Sequence, residues 1–410
     1  MLPSILSLLG LLLFALEANA IAIQPISRQT CQSTGTHCPP GTLVVSTTSK
    51  HASHKTIQSA INSLPDDESP QTILILEGTY TEQVNITRSG PVTLLGQTTS
   101  PKDASRNRVR INWAAGNRDN TGGIDNVFFS VMVVAPTLEA SLTGTGPTGY
   151  PVPADTPFGN KDFRVYNVDF DNTWAEYSDG PAHALSLSRA NGGFYHCGFY
   201  SYQDTVRSFH LLGSFAQHKH KHTLIPPQVY IGKLGNAYFY ESILAGQTDF
   251  LYGFGTAWIQ SSALQLRGCG GGITAWKGTN TTIPNKYGAY IVDSSVRAAN
   301  ASIAADIKGA CALGRPWNSQ HRSIFARSYE DGSVDPRGYI DWVVDGVSRF
   351  EEGVTLMAEY RVHGPGVNET ARVEGGVTSV LGLEEWEMYS TPQKVFGDTE
   401  WIDWEVVKEN

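Results

Sequence analysis

Charged residues are scarce in this chain of 410 residues, since only 17% are Asp, Glu, Lys or Arg, and the formal net charge is −9. No long basic run is present, which argues against nucleic acid or an acidic membrane surface as a partner. After the N-terminus, no apolar run reaches the roughly 18 residues that a transmembrane helix requires. No Cys-x-x-Cys pair or His/Cys cluster has metal-ligand spacing, so we expect no metal and no other cofactor.

The first 20 residues are typical of a secretory signal. Ile5 to Leu16 form a short apolar run, and Ala18-Asn19-Ala20 is a small-x-small cleavage site. We therefore expect a secreted, extracellular protein whose residues 21–41 form an N-terminal tail. Because Asn-x-Ser/Thr sequons are glycosylation sites in secreted proteins, the sequence predicts a glycoprotein. The sequons begin at Asn85, Asn280, Asn300 and Asn368.

The five cysteines are an odd number. Cys31 and Cys38 are close enough in sequence to form a small loop. The other three, Cys197, Cys269 and Cys311, are isolated, and the sequence does not fix their pairing. We interpret Cys269 and Cys311 as buried or structural residues, not as nucleophiles.

Short β segments without intervening helices dominate the chain, which contains 41 glycines, many of them in the turns between segments. Most segments are apolar without clean alternation, which favours strands covered on both faces. This pattern predicts an all-β parallel β-helix over residues 42–405, with one helix at 55–64 capping its N-terminal end. A sandwich or propeller would show hairpin or blade signatures. The segments are 72–76, 91–95, 109–113, 127–135, 162–170, 184–188, 193–197, 229–231, 237–242, 256–260, 289–293 and 323–327.

One aromatic stretch, residues 246–260, contains a single carboxylate, Asp249. A carboxylate among Phe250, Tyr252 and Phe254 is costly unless it is paired or hydrogen-bonded. A turn aspartate beside a strand is the alternative interpretation. Asp249 is therefore expected to have a cationic or donor partner elsewhere in the chain.

Three motifs suggest that partner and a family. They are Tyr202-Gln203-Asp204-Thr205, Gly246-Gln247-Thr248-Asp249-Phe250-Leu251-Tyr252-Gly253 and Leu313-Gly314-Arg315-Pro316-Trp317. With these three motifs in this order, the chain resembles the pectin methylesterases (carbohydrate esterase family 8), of fungal type, over roughly residues 43–403. The resemblance implies a right-handed, single-stranded parallel β-helix that hydrolyses methyl esters of galacturonic acid. The implied substrate is methyl-esterified homogalacturonan (pectin), and a monomer is expected.

The resemblance also implies roles for individual residues. Asp249 would be the nucleophile, held ionised by Arg315, and Asp204 would be the acid that donates a proton to the leaving methoxide, which becomes methanol. Gln203 would stabilise the oxyanion through its amide. The aromatic side chains of Trp317 and Tyr252 would form a platform for sugar rings.

Two positions depart from the family pattern. Pro181 stands where many relatives have a second oxyanion glutamine, and we predict that nearby His183 partly replaces it or contacts substrate. Trp276-Lys277 stands where relatives often have Gln-Gly, and we predict that Trp276 and its neighbour lie near the groove and bind an anionic sugar polymer.

A third departure is the stretch 206–228, which separates Asp204 from the rest of its motif. It contains four histidines, three of which alternate with lysines at 218–222 that would repel a cation, so a solvated loop is expected there rather than a metal site. Without it, the sequence separation of Asp204 and Asp249 would be 22, about one coil. Our hypothesis is that this stretch is translated intron sequence that keeps the reading frame; otherwise it is a long loop.

Two other functions fit a β-helix of this composition. A polygalacturonase or lyase would need more widely spaced carboxylates or a calcium-binding acidic cluster, and neither pattern stands out. A non-catalytic pectin-binding homologue is compatible with the lost glutamine and the inserted stretch.

Overall fold

Short strands of β-branched and aromatic residues recur through the computed structural model, which describes residues 25–117, 124–144, 149–153, 155–174, 181–201, 228–278 and 286–408. The strands, numbered along the chain, are β1 (Leu43–Val45), β2 (Gln71–Ile75), β3 (Gly78–Thr81), β4 (Val84–Ile86), β5 (Val92–Gly96), β6 (Val109–Trp113), β7 (Met132–Val134), β8 (Phe163–Tyr166), β9 (Val168–Asn172), β10 (His183–Leu187), β11 (Asn191–Tyr195), β12 (Gly198–Ser201), β13 (Gln228–Ile231), β14 (Asn236–Tyr240), β15 (Ile243–Gly246), β16 (Leu251–Gly253), β17 (Thr256–Gln260), β18 (Ala263–Leu266), β19 (Gly272–Trp276), β20 (Gly288–Val292), β21 (Ser295–Ala298), β22 (Ala312–Gly314), β23 (Arg322–Ala326), β24 (Tyr329–Glu330), β25 (Val343–Val344), β26 (Val347–Ser348), β27 (Leu356–Tyr360) and β28 (Ser379–Val380).

The helices are few and short. They are α1 (Pro25–Thr34), α2 (Ile57–Asn62), α3 (Leu138–Ser141), α4 (Ala301–Asp306), α5 (Glu369–Gly375), α6 (Leu383–Glu387), α7 (Pro392–Phe396) and α8 (Trp404–Lys408), with 3₁₀ turns at Ala104–Arg106 and Asn126–Phe129. None of the helices in the described ranges has both the length and the apolar character needed to cross a bilayer.

Three parallel sheets wind around one axis. In the described ranges the largest has the order β1-β2-β5-β8-β11-β14-β17-β20-β23-β27-β28. The other two have the orders β22-β19-β16-β13-β10-β7-β4 and β24-β21-β18-β15-β12-β9-β6-β3. From β2 to β24, successive strands go to the three sheets in turn, so each complete coil contributes one strand to each sheet, while β25 and β26 form a separate antiparallel pair. The predicted all-β parallel β-helix is confirmed.

The interior of the coils is a ladder of apolar side chains at matching positions. In the first sheet Val165, Phe194, Phe239 and Ile259 follow one another in register. The rings of Phe194 and Phe239 stack with centroids 5.0 Å apart. Because each coil buries its inner face only against its neighbours, this ladder fixes the register of the whole solenoid.

The outer face of the same sheet is buried too, which explains why its strands lack alternation. Tyr195, Tyr238 and Trp258 lie on that face in a second core, which the C-terminal helices cover with Trp386 and Phe396. Strands buried on both faces read as continuous apolar runs.

Two segments near the N-terminus form helices, α1 in the predicted tail and α2 in the predicted capping helix. Helix α2 lies inside the predicted 55–64 span, begins after its N-cap Thr56 and packs against β1 and β4 at the first coil. Residues 25–34, predicted as part of a tail, instead form α1, which the disulfide between Cys31 and Cys38 ties down. A second disulfide joins Cys269 to Cys311, and Cys197 is a buried free thiol. The predicted signal at 1–20 and nearly all of 206–228 lie outside the described residues.

Candidate active site

Asp249 lies two residues before the start of β16, a strand of the seven-stranded sheet. Its side chain is 0% exposed, and its φ of 48° is in the left-handed region, which Asp tolerates better than most residues. Its backbone N–H donates to the carbonyl of Gly272, and the N–H of Gly272 donates to Oδ1 at 3.1 Å. These two hydrogen bonds with the next coil orient the carboxylate along the sheet.

Arg315 reaches this carboxylate from two coils away. Leu251 pairs with Thr274, which pairs with Gly314, so Asp249 and Arg315 belong to the first and third of three successive coils. Arg315 Nη2 lies 2.6 Å from Oδ2 of Asp249, and Nε lies 3.0 Å from Oδ1 and 3.1 Å from Oδ2. The guanidinium therefore forks across both oxygens, the arrangement that favours Arg over Lys.

Glycine on the middle coil makes this reach possible. A Cβ added at Gly271 would lie 2.6 Å from Thr248 Cγ2 and 2.8 Å from Arg315 Cζ. Any side chain there would occupy the space through which Arg315 approaches Asp249. The run Gly270-Gly271-Gly272 thus keeps the middle coil clear between the two charged groups.

Two tryptophans border the ion pair. The guanidinium carbon of Arg315 lies 3.8 Å from the ring centroid of Trp342. Trp342 packs edge-to-face against Trp317, with centroids 4.9 Å apart. Arg349 donates from Nη1 to the carbonyl of Trp317 at 2.9 Å and lies 4.4 Å from the Trp342 ring. Stacked on an aromatic face, Arg315 is held in one orientation toward Asp249.

Trp317 is half-buried and is the outer member of an aromatic group with Tyr230, Tyr252 and Phe254. Tyr252 itself is buried, and burial followed by the neighbouring Tyr230 raises its pKa well above the usual value. Its hydroxyl therefore keeps its proton. In this structure Trp317 provides the accessible aromatic surface, and Tyr252 supports it from beneath.

His183 is fully buried, so its ring contacts protein rather than solvent. Nε2 lies 2.9 Å from the hydroxyl of Tyr252, and Nδ1 lies 2.9 Å from Ser186 Oγ and 3.2 Å from Ser130 Oγ. The predicted contact of His183 with substrate is therefore absent from this arrangement. The geometry instead gives His183 the task of positioning Tyr252.

The predicted substrate contact of Trp276 is also absent, because its side chain points into the coil interior. It is 1% exposed and donates from Nε1 to the carbonyl of Gly255 at 3.0 Å. Successive residues of a strand face opposite sides, so the next residue, Lys277, faces the aromatic group. Its Nζ lies 4.2 Å from the ring centroid of Trp317.

Gln203 and Asp204, predicted to act on the oxyanion and as the acid, lie outside the described residues. Three residues near the ion pair carried no assigned role in the sequence prediction: Phe254, Trp342 and Arg349. For Trp342 the available signal was its place in the aromatic stretch Gly338-Tyr339-Ile340-Asp341-Trp342. Within the described ranges, no group of three or more His, Cys, Asp or Glu side chains is placed to hold a metal ion.

Comparisons with known proteins agree with this geometry. The profile of the family described as Pectinesterase matches residues 230–398, a range that contains Asp249 and Arg315 and begins just after the histidine-rich stretch. A protein named probable pectinesterase A from Neosartorya fischeri is 27% identical over 384 residues, covering 93% of this chain and 94% of that protein.

Solved structures show the same fold. The deglycosylated pectin methylesterase of Aspergillus niger superposes with a TM-score of 0.63 at 22% identity, over 89% of this chain and 97% of that chain. A pectin methylesterase in complex with a hexasaccharide gives a TM-score of 0.60 at 20% identity, over 87% of this chain and 97% of that chain. The profile match, the relatives and the shared β-helix lead to one conclusion: the chain is similar to pectinesterases over most of its length, and residues 230–398 match their family profile.

Proposed function

We propose that this chain is a secreted pectin methylesterase, which hydrolyses the methyl esters of galacturonic acid in pectin to methanol and free carboxylate. The observation that carries the proposal is the forked pair of Arg315 and Asp249 beside a half-buried tryptophan. Such a pair offers an oriented carboxylate nucleophile with an adjacent permanent positive charge.

The proposed reaction has two steps. A carboxylate oxygen of Asp249 attacks the ester carbonyl carbon, and the tetrahedral intermediate collapses to an acyl-enzyme anhydride as methoxide leaves with a proton from Asp204. Water, giving its proton to Asp204, then attacks the anhydride and regenerates the Asp249 carboxylate. The amide of Gln203 would donate to the oxyanion in both steps, a contribution typically worth about 10²–10³ in rate.

Strand register supports the pairing of Asp204 with Asp249 in a shortened chain. Val229 pairs with Leu251 across neighbouring coils. Removing residues 206–228 would join Thr205 to Val229, so Asp204 would precede Val229 by two residues, just as Asp249 precedes Leu251. Neighbouring parallel strands are about 4.8 Å apart, a spacing at which two carboxylates can divide acid and nucleophile roles.

Substrate would bind along the seven-stranded sheet. The half-buried face of Trp317 suits the apolar face of a sugar ring. Tyr252 and His183 act from beneath it, and Trp276 serves the core. The partner is methyl-esterified homogalacturonan, and residues 1–20 direct the chain out of the cell.

A second candidate, a non-catalytic pectin-binding homologue, is favoured by two observations. Pro181 has no side-chain donor, and the Asp249 carboxylate has no exposed surface. Such a protein would bind pectin without releasing methanol.

Methanol release from highly methylated pectin tests the proposal. We expect release by the chain lacking 206–228, less or none by the full chain, and a loss of at least about a thousandfold in Asp249→Asn, which keeps the shape but removes the nucleophile. Lys50→Met, an exposed change on the first coil, is the control. Pectin binding without methanol from either chain would establish the non-catalytic alternative. New reducing ends or unsaturated products in place of methanol would indicate a polygalacturonase or a lyase.

A further inference from the structure

Lys277 is a lysine enclosed by aromatic rings next to the candidate active site. Its Nζ lies 4.2 Å from the ring centroid of Trp317, 5.0 Å from that of Phe254 and 6.0 Å from that of Tyr252. The residue is 2% exposed. A desolvated ammonium over several ring faces is stabilised by the ring quadrupoles, so the rings can hold a positive charge here with little help from water.

Two further cations flank Lys277. Lys233 Nζ lies 5.2 Å from the ring centroid of Phe254 and donates to the carbonyl of Tyr150 at 3.1 Å. Arg349 lies 6.0 Å from the Trp317 centroid. Both are half-buried, and in the described part of the chain neither has a carboxylate within ion-pair distance. We call Lys233, Lys277 and Arg349 the cationic wall.

The field of the wall adds to that of Arg315. Burial and then Arg349 and Lys233 lower the pKa of Lys277, and burial and then Arg315 lower that of Arg349, so each of the four cations is electrostatically coupled to at least one of the others. In the described ranges Asp249 forms its ion pair with Arg315, and Asp125 is a second carboxylate, which opposes the larger effect of burial on the pKa of Lys277. Four cations against these two carboxylates make the aromatic groove beside the ion pair positive, and the low-dielectric side chains that border it focus its field.

We propose that Lys277, acting with Lys233 and Arg349, makes this chain bind stretches of polymer that already carry free galacturonate carboxylates in preference to fully methylated stretches. The inference rests on the proposed function and names the form of the substrate that the same groove selects. A methyl ester is neutral and a free galacturonate is an anion, so the charge of the wall discriminates between them directly. Lys277 acts through its charge, since it is buried, whereas Arg349 and Lys233 have exposed surface for contact.

The protonation state of Lys277 makes the preference for free galacturonate depend on pH. Burial, followed by Arg349 and Lys233, lowers the pKa of Lys277 to about 7, and Asp125 opposes this effect. Among the described residues, Arg349, Lys233 and Asp125 are the charged groups that act on Lys277 from the neighbouring elements. Below pH 7 the ammonium is charged and anion binding is favoured; as the pH rises above 7 the proton is lost and that contribution disappears.

The test uses an unesterified hexagalacturonate as the probe, which cannot be turned over. Its dissociation constant is measured from pH 5.5 to 8.5 at low ionic strength for the full chain and for Lys277→Met, Lys277→Arg and the exposed control Lys50→Met. We expect wild type to weaken above pH 7. Lys277→Met should bind about three- to tenfold more weakly at pH 6 and show a flat profile. Lys277→Arg should match wild type at pH 6 and keep its affinity at pH 8.5, which a merely structural role would not produce.

The inference is overturned if wild type does not bind the probe, if Lys277→Met matches Lys50→Met, or if Lys277→Arg loses affinity above pH 7 as wild type does. Methanol release from methylated pectin, measured on the same preparations, separates the two proposals. Binding of the probe without methanol release would remove the esterase proposal and retain the cationic wall. Methanol release with no effect of Lys277→Met on binding would retain the esterase proposal and remove the cationic wall.

Discussion

Arg315 reaches Asp249 across a whole intervening coil, and the residue at the crossing point is Gly271. Arg315 Nη2 lies 2.6 Å from Oδ2 of Asp249, while an added Cβ at Gly271 would lie 2.8 Å from Arg315 Cζ. The ion pair therefore depends on a position that makes no polar contact with either partner.

Gly271→Ala tests this dependence. The new methyl group would displace the guanidinium or Thr248, and a misplacement of about 1 Å in a catalytic group can cost about 10²-fold in rate. We expect kcat/KM for methanol release to fall by about 10–100-fold with little change in the melting temperature. Gly332→Ala is the matched control, because a Cβ there meets no atom within 4 Å. Equal activity of the two variants would contradict the crossing-point argument.

Arg315→Lys keeps the charge but removes the fork and the stacking on Trp342. A lysine ammonium is a point charge and cannot bind both oxygens of Asp249 in one plane. We expect kcat/KM to fall by about 10–100-fold, mainly in kcat, since the orientation of the nucleophile changes rather than substrate binding. Steady-state kinetics with methylated pectin measure this split. A variant that changed only KM would assign Arg315 to substrate binding.

The sequence predicted the parallel β-helix and the contact between Asp249 and Arg315, because these depend on motifs of fixed order. It could not predict which member of the pair Trp276-Lys277 faces the groove, since a shift of one residue in register exchanges the two faces of a strand. His183 was assigned to substrate by the same kind of reasoning. Its ring contacts the hydroxyl groups of Ser130 and Tyr252, which are 53 and 69 residues away in the sequence, and no local pattern reports such contacts.

Tyr252→Phe tests the link between His183 and the aromatic platform. The change removes the hydroxyl that lies 2.9 Å from His183 Nε2 and leaves a buried ring nitrogen without that contact. We expect a loss of about 1–3 kcal/mol in the free energy of unfolding. Denaturant unfolding of the single variants and of Tyr252→Phe combined with His183→Phe measures the coupling. Strict additivity of the two single changes would show that the contact contributes nothing.

The disulfide between Cys269 and Cys311 connects the coil that follows Asp249 to the coil that carries Arg315. It closes a sequence separation of 42 residues, for which loop entropy predicts about 4 kcal/mol of stabilisation. Replacing both cysteines with serine should lower the stability by that order. The pair Cys31–Cys38 closes a separation of only 7, so its removal should cost about 2 kcal/mol and serves as the comparison. A larger loss from the shorter loop would show that native contacts, not chain entropy, determine the effect.

A buried group of two carboxylates and one guanidinium lies at the C-terminal end of the solenoid. Arg372 donates to Glu359 from Nε at 2.8 Å and from Nη2 at 3.0 Å, and it donates to Glu330 from Nη2 at 2.8 Å. One guanidinium cannot balance two buried anions. Burial and then the Glu359 carboxylate raise the pKa of Glu330 well above its usual value, against the opposing effect of Arg372.

This arrangement predicts how stability changes with pH. Because the folded state keeps a proton on Glu330 that the unfolded state releases near the ordinary value of 4.5, the free energy of unfolding should fall as the pH rises from about 4.5 toward neutrality. Glu330→Gln is permanently neutral, so its stability should decline less over that range, as denaturant unfolding at several pH values would show. Glu359→Gln is the contrasting variant: it removes the carboxylate that takes two bonds from Arg372, and we expect a loss of about 3–5 kcal/mol. If Glu330→Gln instead showed the full pH dependence of the wild type, another group would have to carry the buried proton.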